Sequence, residues 1–201
     1  ANCNQRERIL KRSPLHIASK YGHDKVVDLL LEYNANLNAV DFENKTPLHL
    51  ASATGNVNIV HSLIECKSLC IDLNPIDNYG KTPLYVASLR GHDKVVDLLI
   101  KREADLNPID INGRTSLHGA SESGHDKVVG LLIDNKADLN PIDKKGRTPL
   151  HLASKRGHDK VVKLLIEGNA DLNLIDNKGR TPLHVASESG HDKVVDLLTE
   201  R

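Results

Sequence analysis

Eleven histidines give this chain its most reactive side chains. Imidazoles bind metals and move protons near neutral pH, so their spacing is the first thing to weigh. Ten of them occupy two fixed slots. His16, His49, His118, His151 and His184 follow Pro-Leu or Ser-Leu, and His23, His92, His125, His158 and His191 follow a glycine. Tyr85 fills the first slot once, which a metal-ligand set would not allow. His61 stands apart and reads as a solvated side chain. Cys66-x-x-x-Cys70 has no second pair at zinc-site spacing, and it reads as packed loop thiol. Gly80-Lys81-Thr82 imitates the end of a phosphate loop, but Pro75 stands where that loop needs its first glycine. Asn44-Lys45-Thr46 spells a glycosylation acceptor, yet Asn44 sits in a turn slot that wants a left-handed backbone, which asparagine tolerates. No Ser/His/Asp cluster or carboxylate pair stands outside the repeated slots. No catalytic residue, no metal, no cofactor and no enzyme activity are expected.

The slots recur because the chain does. The fragment Thr-Pro-Leu-His-x-Ala starts, with small variations, at Ser13, Thr46, Thr82, Thr115, Thr148 and Thr181, so the spacings are 33, 36, 33, 33 and 33. A fixed period of that size marks stacked supersecondary units rather than one closed globule. In Thr148 to Arg180, Thr148 supplies an N-cap hydroxyl and Pro149 stands at the first helical position. Leu150, Leu152 and Ala153 line a short helix that Gly157 ends. Asp159 opens a second helix, with Val161, Val162, Leu164, Leu165 and Ile166 as its apolar stripe. Asp176-x-x-Gly179 is turn chemistry. Helices of about 8 to 10 residues span roughly 12 to 15 Å and are marginal alone in water. Only stacking on neighbours buries both faces.

Composition narrows the function. Lys plus Arg and Asp plus Glu are both 27, so net charge is zero. That argues against a global field for nucleic acid or an anionic membrane. No apolar run approaches the roughly 18 residues of a membrane span, and no secretory signal is evident. Three sparse cysteines fit a reducing compartment, intracellular and cytoplasmic. The absence of Met leads us to expect a processed chain or a piece of something longer.

The string Asp-x-x-Gly-x-Thr-Pro-Leu-His, then Gly-His, then Val-Val-x-Leu-Leu, in one register over residues 13–201, resembles the ankyrin repeat family. The resemblance implies an all-α repeat solenoid of stacked helix-turn-helix units with projecting β-hairpin loops. It implies binding of a partner protein or peptide on a concave surface made by hairpin tips and first helices, and no catalysis. It also makes the first histidine slot structural, bonding the Thr hydroxyl and nearby backbone. Asn38, Asn74, Asn107, Asn140 and Asn173 fall where some family members are hydroxylated, although a turn role accounts for them. Residues 1–12, with Arg8 and Lys11 in the Asp and Gly turn slots, are expected to form a worn first hairpin or an amino-terminal cap.

The six copies differ mainly in two stretches, the turn tips and the ends of the first helices. Three of the five aromatics, Tyr21, Phe42 and Tyr79, lie there, and rigid aromatics anchor protein interfaces. Leu89 and Ile111 add apolar area, with Glu43, Arg90 and Asn112 beside them. Repeat 5 adds a basic group of Lys144, Lys145, Arg147, Lys155 and Arg156. We therefore expect a bipartite groove, apolar and aromatic over repeats 1 to 4 and basic at repeat 5. A monomer is expected, with scope for end-to-end stacking. The other functions consistent with the sequence are a spacer or spring array and a targeting or regulatory arm of a larger enzyme or channel. Repeat 4 (Ser116 for Pro, Gly119 and Gly130 inside helices) and repeat 2 (an insertion at 67–69) are expected to open first.

Overall fold

A computed structural model describes residues 2–66 and 70–200, so the insertion at 67–69 lies outside the described residues. The described residues form six helix pairs and no strand: α1 Pro14–Tyr21 with α2 Asp24–Glu32, α3 Pro47–Thr54 with α4 Val57–Ile64, α5 Pro83–Arg90 with α6 Asp93–Lys101, α7 Ser116–Ser123 with α8 Asp126–Asp134, α9 Pro149–Arg156 with α10 Asp159–Glu167, and α11 Pro182–Ser189 with α12 Asp192–Thr199. The helices start where the sequence offers caps. Ser13, Thr46, Thr115, Thr148 and Thr181 hold extended backbone at the N-cap, and the residue closing each capping box is histidine rather than the usual glutamate. Each of these first helices stops at a glycine with φ between 71° and 76°, a left-handed conformation that costs a side-chain-bearing residue about 1–2 kcal/mol.

The helices fall into two compact units. In the unit made of Ala1–Ala87 and Lys94–Asp105, α1 packs on α3 and α2 on α4, over a core that includes Leu15, Leu48, Ile59, Leu63, Leu84 and Leu99. In the unit made of Ser88–Asp93 and Leu106–Arg201, α9 lies between α7 and α11, while α10 lies between α8 and α12. Leu117, Leu132, Leu150, Leu152 and Leu165 fill that core. Each unit is thus a stretch of all-α repeat solenoid, in which a helix buries one side on its pair and the other on the next repeat.

The loops that join repeats are tight turns organised by aspartate. Oδ1 of Asp41, Asp77, Asp110, Asp143 and Asp176 accepts two backbone N–H bonds, from the residues two and four positions on, at 2.7–3.0 Å. Neighbouring turns are joined by single backbone bonds: Phe42 to Leu10 and Asn78 to Glu43 in the first unit, Lys144 to Asn112 and Asn177 to Lys145 in the second, at 2.8–2.9 Å. The first segment takes part. Leu10 supplies the carbonyl that Glu43 supplies one repeat later, and Lys11 holds φ 52° where later turns carry Gly or Asn44. A side-chain series repeats the pattern within each unit: Oδ1 of Asn38, Asn74, Asn107 and Asn140 accepts the amide of Asp72, Asp105, Asp138 and Asp171 at 2.8–3.0 Å.

Candidate functional site

The reactive residues are consumed by the scaffold. In the first histidine slot the N-cap amide donates to imidazole Nδ1 at 3.1–3.2 Å, at Ser13/His16, Thr46/His49, Thr115/His118 and Thr148/His151. With Nδ1 accepting, Nε2 carries the proton, and it donates to the carbonyl of Lys45, Lys81, Arg147 and Arg180 in the following turn at 2.8–2.9 Å. Burial pushes all four imidazoles below the ordinary histidine value, against the opposing pull of those carbonyls. A neutral ring locked at both nitrogens has no lone pair to offer a metal or a substrate.

The second slot works backwards along the chain. Nε2 of His125, His158 and His191 donates to the carbonyl of Leu89, Glu122 and Lys155 one repeat earlier, at 3.0–3.2 Å. The rings lie over the glycines that end the earlier helices: a Cβ on Gly91, Gly124 or Gly157 would sit 2.5–2.7 Å from the next histidine ring. Gly124-His125 and Gly157-His158 therefore each receive a ring from the following repeat and send one to the preceding repeat. Repeat 2 has Asn56 in the histidine slot; its Oδ1 caps α4 by accepting from Ile59, and its Nδ2 donates to Asp24 at 3.0 Å.

His61 is exposed, as expected. The packed-thiol expectation fails at Cys70, which is exposed, while Cys66 is half-buried. The Cys70 backbone carbonyl accepts from Asn38 Nδ2 at 2.9 Å. Among the described residues no three His, Cys, Asp or Glu side chains converge as a metal set would. None of the described helices is long and apolar enough to cross a membrane.

The variable slots lie where water reaches them, with differences in availability. In the first unit Tyr21, Phe42 and Tyr79 are 62%, 64% and 49% exposed. Phe42 and Tyr79 stand on adjacent bonded turns. Lys20 lies 5.3 Å from the Tyr21 ring centre, and Lys81 lies 5.3 Å from Tyr85 and 5.9 Å from Tyr79, so all three tyrosines have a cation close to the ring. Glu43 is tied to Lys45 at 2.8 Å.

In the second unit Ile111 is half in water and Arg90 is exposed. Leu89 is half-buried over Gly119, where a Cβ would stand 3.4 Å from its own, so it packs as well as shows. Asn112 supplies its carbonyl to Lys144 and lines, with Arg114, Asp143, Lys144, Lys145 and Arg147, a cleft of about 180 Å³. The basic group is smaller than its composition. Arg147 grips Asp143 through two bonds of 2.9 and 2.6 Å, and Arg156 leans on Glu122 at 3.4 Å. Burial alone would raise the Asp143 carboxyl, but the Arg147 side chain and the turn amides hold it below its ordinary value. The same balance at Asp176, with Arg180, brings that carboxyl down to about 2. Lys144, Lys145 and Lys155 are exposed, with no ion pair among the described residues.

Sequence reasoning missed one recurring slot, filled once in the first unit and three times in the second. Ile76, Ile109, Ile142 and Ile175, each just before the turn aspartate, are 53–61% exposed. The signal was the recurring Asn-Pro-Ile-Asp and Asn-Leu-Ile-Asp strings. Their constancy read as a fold requirement, yet an isoleucine mostly in water contributes little to a core.

Comparison with known proteins agrees with this architecture. A family model described as ankyrin repeats (3 copies) matches residues 1–73, 66–143 and 131–201. A solved structure titled as the ankyrin repeat domain of Bcl-3, a unique member of the IkappaB protein family, is similar to this chain at 32% identity and a TM-score of 0.83, over 94% of this chain and 82% of that one. Comparison with curated protein sequences gives no match.

Proposed function

This chain belongs to the ankyrin repeat family, whose repeats are protein–protein interaction modules, and we propose that it binds a partner protein or peptide through its turn tips and first-helix ends. The observation that carries this reading is the division of labour along each repeat. The recurring motif spends its hydroxyls, imidazoles and carboxylates on caps and turns. The slots that differ between copies hold the exposed aromatics Tyr21, Phe42 and Tyr79. Large rings in water gain nothing for the fold and are the side chains that interfaces use as anchors. The concave placement of these slots comes from the family likeness. On this reading the chain is an intracellular binding module without catalysis or cofactor, and recognises neither nucleic acid nor membrane.

The test is affinity capture with the chain as bait, repeated with Phe42, Tyr79 and Ile111 replaced by alanine. Proteins held by the original chain and lost by the folded variant support the reading. An unchanged set of captured proteins removes the tips from the interface. The spacer alternative expects no selective capture by either form.

A further inference from the structure

The row of isoleucines in the second unit has an electrostatic setting that says what it would take. Ile109, Ile142 and Ile175 occupy one slot in three successive turns, and each is 60–61% exposed. Single exposed apolar residues are ordinary, but an aligned row is a patch, and patches mark interaction sites. Adjacent turns are bonded backbone to backbone, Lys144 to Asn112 and Asn177 to Lys145, so the row is fixed in register. Lys144, Lys145 and Lys178 crown the same turns, all exposed and none in an ion pair among the described residues. On the tips themselves Asp143 and Asp176 are buried against Arg147 and Arg180, while Asp138 and Asp171, exposed and accepting the amides of Asn140 and Asn173, stand four residues before Ile142 and Ile175. The charge left open on these tips is positive.

The spacing also constrains the occupant. Packed helices lie about 8–10 Å apart, so the row steps by roughly that much per repeat. An extended chain advances about 3.1–3.4 Å per residue. Three residues therefore cover one step. We propose that the second unit binds an extended acidic segment of its partner protein, with aliphatic side chains at about every third residue on Ile109, Ile142 and Ile175 and carboxylates on Lys144, Lys145 and Lys178. This rests on the reading that the turn surface binds protein, and it adds the chemistry of the ligand.

The test uses three labelled synthetic peptides with the whole chain: leucines at every third position separated by glutamate pairs, the same with lysine for glutamate, and the same with serine for leucine. Fluorescence anisotropy should show that the first binds and the other two do not, with affinity falling as salt is raised. Ile109→Ser with Ile142→Ser and Ile175→Ser should weaken the first peptide about tenfold or more, with an unchanged thermal midpoint. Changing Lys144, Lys145 and Lys178 to glutamate should abolish its binding and admit the lysine peptide instead. Equal binding of the serine or lysine peptide to the original chain overturns the proposal. So does binding of none of the three; protein recognition itself then stands if capture still depends on Phe42, Tyr79 and Ile111, and falls with the proposal if it does not.

Discussion

Replacing Gly124 by alanine adds one methyl group where two repeats meet, and repeat 1 provides the control. Gly124 and Gly22 have the same backbone, φ 76° and 75°, so both substitutions carry the left-handed penalty of about 1–2 kcal/mol. They differ in what the methyl group meets. At Gly22 the nearest atom is Asn56 Nδ2 at 3.2 Å, the end of a side chain that can give. At Gly124 it would lie 2.7 Å from Cε1 and Nδ1 of His158, where ordinary contact is about 3.5–4.0 Å. The ring must shift by close to an ångström and lose its 3.0 Å bond to the Glu122 carbonyl, about 1 kcal/mol net, with some packing besides. We expect Gly22→Ala to cost about 1–2 kcal/mol and Gly124→Ala about 2–4. Adding His158→Asn to Gly124→Ala should recover about 1 kcal/mol, because an amide there can reach Asp126 as Asn56 reaches Asp24. Urea unfolding followed by far-UV circular dichroism measures all of these. Equal losses at the two glycines, or strict additivity of Gly124→Ala and His158→Asn, would refute the ring-on-glycine account.

Acidification should weaken the array in two stages. His16, His49, His118 and His151 have lowered values in the folded state, so the unfolded chain takes up protons first; their contribution is complete above pH 6.5 and declines as pH falls below it. Asp143 and Asp176 are also lowered, and their share is lost later, from about 3.8 down to about 2 for Asp176. Urea midpoints measured across that range should fall from near pH 6.5 downward, and a flat profile between neutrality and pH 5 would contradict the first stage. Gly130 sits inside α8 with nothing within 4 Å of an added Cβ, so Gly130→Ala should stabilise by about 1 kcal/mol; a lower thermal midpoint would show an unseen contact. The hydroxyls of Ser121 and Ser154 are buried without a hydrogen-bond partner. Ser121→Ala and Ser154→Ala should each raise stability by a few tenths to about 1 kcal/mol, and destabilisation would reveal a bond that the hydroxyl makes in solution.

Much of the fold was legible because local rules and repeat rules agree. All six first helices start on the residue after a Ser or Thr that hydrogen-bond chemistry marks as a cap, and each stops just before the glycine expected to end it. The substitution of Asn44 for glycine was readable as positive φ, and the backbone there is at 60°. What stayed hidden depends on contacts between repeats. Nothing in the order of residues says that a histidine ring will lie on the glycine of the repeat before it. Arg147 counts as surface charge in the sequence, but the turn brings it back onto Asp143. The isoleucine row was overlooked for the opposite reason: residues shared by several copies were assigned to the fold, and only their exposure separates Ile142 from the buried Leu150.

The central claim is that the tips bind while the motif supports. The most direct measurement is the affinity of a captured partner for the original chain, for the variant with alanine at Phe42, Tyr79 and Ile111, and for the stability control Gly130→Ala. A loss of about tenfold or more confined to the tip variant, with its thermal midpoint unchanged, is the predicted result. Equal affinity for all three chains would contradict the claim and leave these aromatic tips without a part in recognition.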